Sequence, residues 1–498
     1  MKILLKFTLV IHRYLGFVLS ILFLVWFVSG FVMMYKDFPN LAQSEKQKRS
    51  TALTVRDSLW QPVQISQLYR LPDTLQALKI SSLLHWPVYR FQSLDGKWQS
   101  FYASNGKPVQ NLSAYHASVI ARFFSGNGAS IKKIETIDHL DQWTPRTRYV
   151  AHLPIHRVWM NDTEETVCYV SSASGEIVQF LNREDKFWAW LGAIPHWIYF
   201  RDLRIHNQLW RDVVVGLSIF GVMMSVAGIA LGIVRTIRAK RDRDRFSPYK
   251  KKWFRWHHYV GFFFGVFVFT WILSGLFSMN PWRWSPDSSL SAAEKKLWQG
   301  GHISTQNIKG TVEEVIKKFS TAGELKEMQL VQVYSAPYWL GYYSDNTTKL
   351  LSAGDLQTDL LDSLPKQKFL SLLTKLQPSA QLTEATWLMD YDAYYYNKHR
   401  TRPLPVLRAK FNDAAETWYY VNVRTGLVVE KIQARNRLER WLYNGLHSLD
   451  FPVFFYQRPL WDVVVILLMT GGTALSVTGL VLTAKWMKRK TKKAIRHV

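Results

Sequence analysis

The chain holds a single cysteine, Cys168, among 498 residues. An intrachain disulfide is therefore impossible, and so is a cysteine-based zinc or iron–sulfur site. No Gly-x-Gly-x-x-Gly run occurs, so the dinucleotide-binding fingerprint is missing. Acid is scarce: 37 Asp and Glu stand against 63 Lys and Arg, a formal net charge of +26. Such an excess suits a nucleic acid or a membrane surface, and its position in the chain has to decide between them. The apolar runs Val10–Met34, Val213–Val234, Val260–Met279 and Val463–Ala484 lack a polar stripe. A soluble four-helix bundle needs that stripe on every helix, so this class is disfavoured.

Each of those runs is long enough to cross about 30 Å of hydrocarbon as a helix. Lys2 and Lys6 precede the first run. Arg235–Arg255, with Arg238, Lys240, Arg241, Arg243, Arg245 and Lys250 to Lys252, joins the second to the third. Lys485, Lys488, Arg489, Lys490, Lys492 and Lys493 follow the fourth. These basic segments share one side if all four runs span, and the positive-inside rule makes that side cytoplasmic. The charge excess is then explained without nucleic acid. The first run resembles a signal peptide, but it is too long and lacks a small-residue cleavage site, so it reads as an uncleaved helix.

The expected order is helix one over 1–36, an outer segment over 37–184, an outer interfacial helix over 185–208 and helix two over 209–236. A basic loop over 237–255 and helix three over 256–279 follow. The second outer segment spans 280–434, its interfacial helix 435–458, helix four 459–486 and the basic tail 487–498. With one cysteine, each outer segment must rely on its own core.

The order repeats. His12-Arg13-Tyr14-Leu15-Gly16-Phe17 matches His257-His258-Tyr259-Val260-Gly261-Phe262, and Ser29-Gly30 matches Ser274-Gly275. Further on, Leu153-Pro154 matches Leu404-Pro405, Arg157 matches Arg408, Asn161-Asp162 matches Asn412-Asp413, and Gly175 matches Gly426. His196 then matches His447, and Leu209-Trp210 matches Leu460-Trp461. Two tandem units of equal orientation imply a pseudo-two-fold axis along the membrane normal. Glu165–Val170 and Thr417–Val423 read as strands, running into turns at Ser172–Gly175 and Arg424–Gly426. Thr311–Phe319 carries helical periodicity. The fold class is an α-helical integral membrane protein, with an α+β domain in each outer segment. Asp185–Trp197 and Arg437–Leu449 read as aromatic amphipathic helices at the outer surface, where Trp188, Trp190, Trp197 and Trp441 suit an interfacial belt.

Four of the 14 histidines hold matching positions: His12 with His257, His196 with His447. The axis brings the first pair together near the cytoplasmic face and the second near the outer face. Histidine in an apolar span is costly and usually has a task. Two opposed imidazoles are the axial set of a b-type haem, and two stacked pairs would carry electrons across the membrane. No Cys-x-x-Cys-His occurs, which excludes a covalent c-type haem. Gly16 and Gly261, four residues after their histidines, would leave room for a flat ring, as would Gly192 before His196. His258 beside His257 is an alternative ligand. Structural histidines bonded to carbonyls are an equal alternative on spacing alone. A zinc or copper site near Asp202 and Asp450 lacks the required three or four ligands. His152 and His156 have Pro403 and Leu407 as their counterparts, a one-sided difference that makes them candidates for substrate contact.

The same residues carry a family resemblance. His-x-Tyr-x-Gly-Phe followed by Ser-Gly, and Gly445-Leu446-His447 before Leu460-Trp461-Asp462, resemble the PepSY-associated transmembrane helix family, which includes bacterial ferric-siderophore reductases. The resemblance covers nearly the whole chain. It implies two haem b groups on His12, His257, His196 and His447, in an inner-membrane protein with both termini cytoplasmic. It implies a periplasmic acceptor, ferric iron in a siderophore or a similar chelate. Reduction to Fe(II) would weaken an oxygen-rich chelate. Some members carry a flavin and NADPH module; here 487–498 leaves no room for one, so the donor would be a separate flavin or NAD(P)H reductase or a membrane quinol. Arg13 and Arg255 would steer an acidic donor or hold haem propionates. PepSY-type domains also imply a second reading, a redox sensor, assembly factor or protease-regulating module.

Overall fold

A computed structural model describes residues 2–495 except Arg56 and Asn127. Met1 and 496–498, the two ends of the expected topology, lie outside the described residues, as do the side chains of Lys2, Arg243, Lys492 and Lys493. The chain divides into two compact units. One comprises Met1–Phe38, Lys186–Ser285 and Arg435–Val498; the other comprises Pro39–Asp185 and Pro286–Ala434.

In the first unit, α1 (Lys2–Met33), α2 (Asn207–Arg243), α3 (Lys252–Ser278) and α4 (Leu460–Ile495) are each long and apolar enough to cross a membrane. The apolar runs mark their cores. Met34 and Met279 fall outside, while basic residues extend α2 and α4 past the runs. The helices form a ring: α1 packs on α2 and α4, and α3 packs on the same two. Leu19, Phe23, Phe27, Trp271, Ile272, Val465 and Met469 fill its core.

The two expected interfacial helices are broken, which corrects the reading of each as one continuous helix. Helix Arg183–Leu191 stops at Gly192 (φ −110°, ψ −94°), and a separate turn Ala193–Trp197 carries His196. A Cβ on Gly192 would lie 2.7 Å from Val32 Cγ1, so α1 passes where a side chain would start. In the other segment, Ala434–Arg440 runs into a π-turn at Trp441–Gly445, then Leu446–Ser448. Leu449 and Ile198 end these stretches in the left-handed region, at φ 49° and 54°.

The second unit holds the strands. From 39–185 come β1 (Ala77–Leu83), β2 (Trp86–Gln92), β3 (Trp98–Tyr102), β4 (Ile131–Ile137), β5 (Ile155–Met160), β6 (Val167–Ser171) and β7 (Ile177–Leu181). From 286–434 come β8 (Leu325–Val333), β9 (Ala336–Tyr343), β10 (Thr348–Ser352), β11 (Leu382–Leu388), β12 (Val406–Phe411), β13 (Trp418–Asn422) and β14 (Leu427–Ile432). The strands β4 to β7 form one antiparallel sheet in chain order, and β11 to β14 another. The hairpin turns need glycine: Gly175 and Gly426 sit at φ 68° and 71°. A Cβ there would meet Leu83 at 2.8 Å or Val333 at 2.7 Å. The expected helix is found at Val312–Ser320, closed by a capping box of Thr311 and Glu314.

The third sheet joins the two segments, in the order β10-β9-β8-β1-β2-β3. Its centre is an antiparallel pairing of β1 with β8: Leu78 with Leu330, Lys79 with Gln329, Ile80 with Met328. A single apolar core runs beneath both halves, from Leu53, Ile80 and Phe91 to Val315, Met328 and Trp339. Each segment thus has a sheet of its own, but the expectation that each relies wholly on its own core is corrected. The strand pattern of β1 and β8 says that they pair, not with whom.

Candidate functional site

The matched histidines come together in the helical unit. The rings of His12 and His257 lie with centroids 6.1 Å apart, and so do those of His196 and His447. All four are half-buried. His12 and His257 belong to α1 and α3, which face each other across the ring of helices. His196 and His447 sit on the turns Ala193–Trp197 and Leu446–Ser448.

Every one of these imidazoles is anchored at Nδ1 by a neighbouring helix. His12 Nδ1 lies 3.1 Å from Met224 O on α2. His257 Nδ1 lies 3.0 Å from Thr478 Oγ1 on α4. His196 Nδ1 meets Trp26 O at 3.2 Å and Ser29 Oγ at 3.1 Å, both on α1. His447 Nδ1 meets Trp271 O at 3.3 Å and Ser274 Oγ at 3.0 Å, both on α3. A carbonyl only accepts, so Nδ1 donates to it. The Thr478, Ser29 and Ser274 hydroxyls donate to helix carbonyls of their own, which turns their oxygens towards the imidazoles as acceptors. The proton is therefore fixed on Nδ1, and Nε2 keeps its lone pair. A metal-binding histidine is prepared in this way by its outer partner.

The spacing suits a shared metal. A metal–imidazole bond of about 2 Å, plus roughly 1 Å from nitrogen to ring centre, sets two opposed ligand rings about 6 Å apart. The two pairs differ in depth. From His12 to Trp26 is a run of 14 residues along α1, about 21 Å at about 1.5 Å per residue. The same run separates His257 from Trp271 on α3.

Glycines other than those expected to leave room for a flat ring stand beside the imidazoles themselves. Gly16 and Gly261 look onto Met224 and Leu475. A Cβ on Gly228 would instead lie 2.7 Å from His12 Cε1, and one on Gly479 3.6 Å from His257 Cε1. Gly30 and Gly275 stand similarly by His196 and His447, at 3.7 Å and 3.8 Å. Each hydroxyl anchor or glycine lies on a different element from the histidine it meets, so sequence proximity does not find it. The signal in the sequence is repeat pairing: Ser29 with Ser274, Gly30 with Gly275, and Gly228 with Gly479 at the spacing of His196 and His447.

His258 turns away from the pair. Its Nε2 meets Thr236 Oγ1 at 3.1 Å and Gly232 O at 3.3 Å, so His257 is the ring opposite His12. Arg13 and Arg255 are exposed. Asp450 is bound by Arg440 at 3.0 Å and Asp202 by Arg201, and no cluster of three metal-ligating side chains exists among the described residues.

In the strand-rich unit His156 is buried within β5, its Nδ1 2.8 Å from Thr136 Oγ1 and its Nε2 2.6 Å from Leu112 O. Both nitrogens are engaged, which corrects its assignment as a substrate contact. His152 lies in the turn before β5. Burial lowers its pKa, against the pull of the Glu176 carboxylate.

Residues 9–489 match the family described as PepSY-associated TM region. The chain belongs to this family. No curated protein sequence matches it. Membership of the PepSY-associated TM region family accords with the four apolar helices and three antiparallel sheets.

Proposed function

We propose that the chain is an inner-membrane di-haem b-type electron conduit, one haem on His12 and His257 and the other on His196 and His447. It would reduce periplasmic ferric iron, held in a siderophore or like chelate, with electrons from a cytoplasmic flavin or NAD(P)H reductase or a membrane quinol. The carrying observation is that all four imidazoles are hydrogen-bonded through Nδ1 and paired at the spacing of opposed ligands. A duplication alone would set a near-axis histidine beside its copy; the common anchoring at Nδ1 is what favours ligation over a purely structural role. When bound, the haems would supply one-electron iron chemistry at two depths.

The chain's own residues do the rest. Met224 O, Trp26 O and Trp271 O orient the rings and raise their basicity through Nδ1–H. Phe23, Phe27 and Trp271 help to exclude water between the pairs. A tandem duplication with a pseudo-two-fold axis would account for the pairing. Hairpin β1–β2 and hairpin β8–β9 have matching registers 250 residues apart, and Lys79 faces its own counterpart Gln329. The basic flanks support cytoplasmic termini, so a periplasm-activated reporter placed in 237–255 should stay silent.

The test is optical and functional. Purified protein should show a b-type reduced-minus-oxidised spectrum with about two haems per chain. Replacing His12 or His257 should empty one site, and His196 or His447 the other. Proteoliposomes with reductant inside should form ferrous iron outside, and lose this when either pair is broken. A colourless folded protein would refute the reading. Haems that reduce but serve no outer acceptor would favour the redox-sensor alternative.

A further inference from the structure

A cleft of about 70 Å³ in the strand-rich unit lies where helix Gln43–Arg49, the β1–β2 hairpin and the Gly175–Ile177 turn meet. Its lining includes Gln47, Ser82, Arg90, Glu176 and Lys46. Arg90 and Gln47 are only 5% and 6% exposed. Arg90 Nε, Gln47 Nε2 and Ser82 Oγ are buried without a hydrogen-bond partner among the described residues. Each can donate, and a buried donor left unmade costs about 1–3 kcal/mol.

The charges point the same way. Glu176 is gripped by Lys46 at 2.8 Å and stands 3.9 Å from Arg90. Burial alone would raise its pKa, but Lys46 and Arg90 outweigh this and hold it ionised. One carboxylate thus answers two cations. Arg49, Lys326 and the carboxylate Glu327, also in the lining, pair separately with Glu45, Glu324 and Lys79. One positive charge of the Lys46–Arg90–Glu176 trio remains uncompensated.

The other half of the unit supplies an internal control. At the matching register Leu340 replaces Arg90, and Leu427 replaces Glu176. There Val331, Val333, Leu340 and Trp298 make a packed apolar core. The scaffold therefore does not need charge at this place, and an unbalanced buried cation is costly. We propose that the cleft is a binding site for one oxyanion group, a phosphate or a carboxylate, seated on Arg90, Gln47 and Ser82. The group could be a free anion or the arm of a larger ligand. The site stands independently of the haem reading.

The test is calorimetric titration of the full-length protein in detergent with inorganic phosphate and, separately, acetate. Saturable one-to-one binding of either is expected, phosphate or acetate naming the preferred group. Gln47→Leu should weaken it at least tenfold without lowering thermal stability, because it removes a donor that bonds to nothing. Arg90→Leu should abolish it. Gln47→Leu is the decisive variant if Arg90→Leu does not fold. Absence of saturable binding with both anions, or binding untouched by Gln47→Leu, would overturn the proposal.

Discussion

A single methyl group should separate the glycines beside His12 and His257. At Gly228 a Cβ would crowd His12 Cε1 at 2.7 Å; at Gly479 the distance to His257 is 3.6 Å, an ordinary contact. Gly228→Ala is therefore expected to displace His12 and leave about one haem per chain, while Gly479→Ala and Gly16→Ala keep two. A pyridine haemochrome assay reads this directly, and equal loss in all three would show that the close approach is irrelevant. Cys168 makes a second residue-level case. It is fully buried in β6, and burial pushes its thiol up to about 12. The thiolate is the reactive form, so a maleimide at pH 7.5 should label the native protein far more slowly than the denatured one. Rapid native labelling would mean that the core of β4 to β7 opens readily.

The anchors of His196 and His447 belong to α1 and α3, not to the turns that bear the histidines. Ser29→Ala and Ser274→Ala each remove one acceptor from Nδ1–H and leave the Trp26 or Trp271 carbonyl in place. On the di-haem reading, haem should be retained and the midpoint potential of the His196–His447 site should rise, because a less basic imidazole stabilises ferric iron less. An unchanged potential in a redox titration would show that the serines do not tune the site. Sequence patterning revealed the four spans, the matched histidines and the turn glycines, because each depends on local chemistry. The breaks at Gly192 and at Trp441–Gly445 were hidden: the aromatic periodicity runs through both, and Gly192 yields to Val32 of a helix about 160 residues away in sequence. His156 misled for a related reason. Its contrast with Leu407 is real, but the difference is met inside the sheet by Thr136 and Leu112 O.

Neither unit belongs to one half of the chain, since α1 and α2 complete their ring with α3 and α4, and β1 completes its sheet with β8. Leu78, Ile80, Met328 and Leu330 are all fully buried, worth about 1.5–3 kcal/mol each. Two polypeptides split within 243–251 should therefore co-purify when made together, and neither should be stable alone. A well-behaved isolated half would contradict the shared sheet. The pairing of β1 with β8 has a historical consequence. A strand that meets its own counterpart antiparallel could equally meet an identical copy of itself, so a half-length ancestor could have assembled as a symmetric homodimer through this strand. In a homodimer each mutation is written twice, once on either side of the axis. Fusion into one gene lifts that constraint, and Leu340 could stay a core leucine while its twin became Arg90.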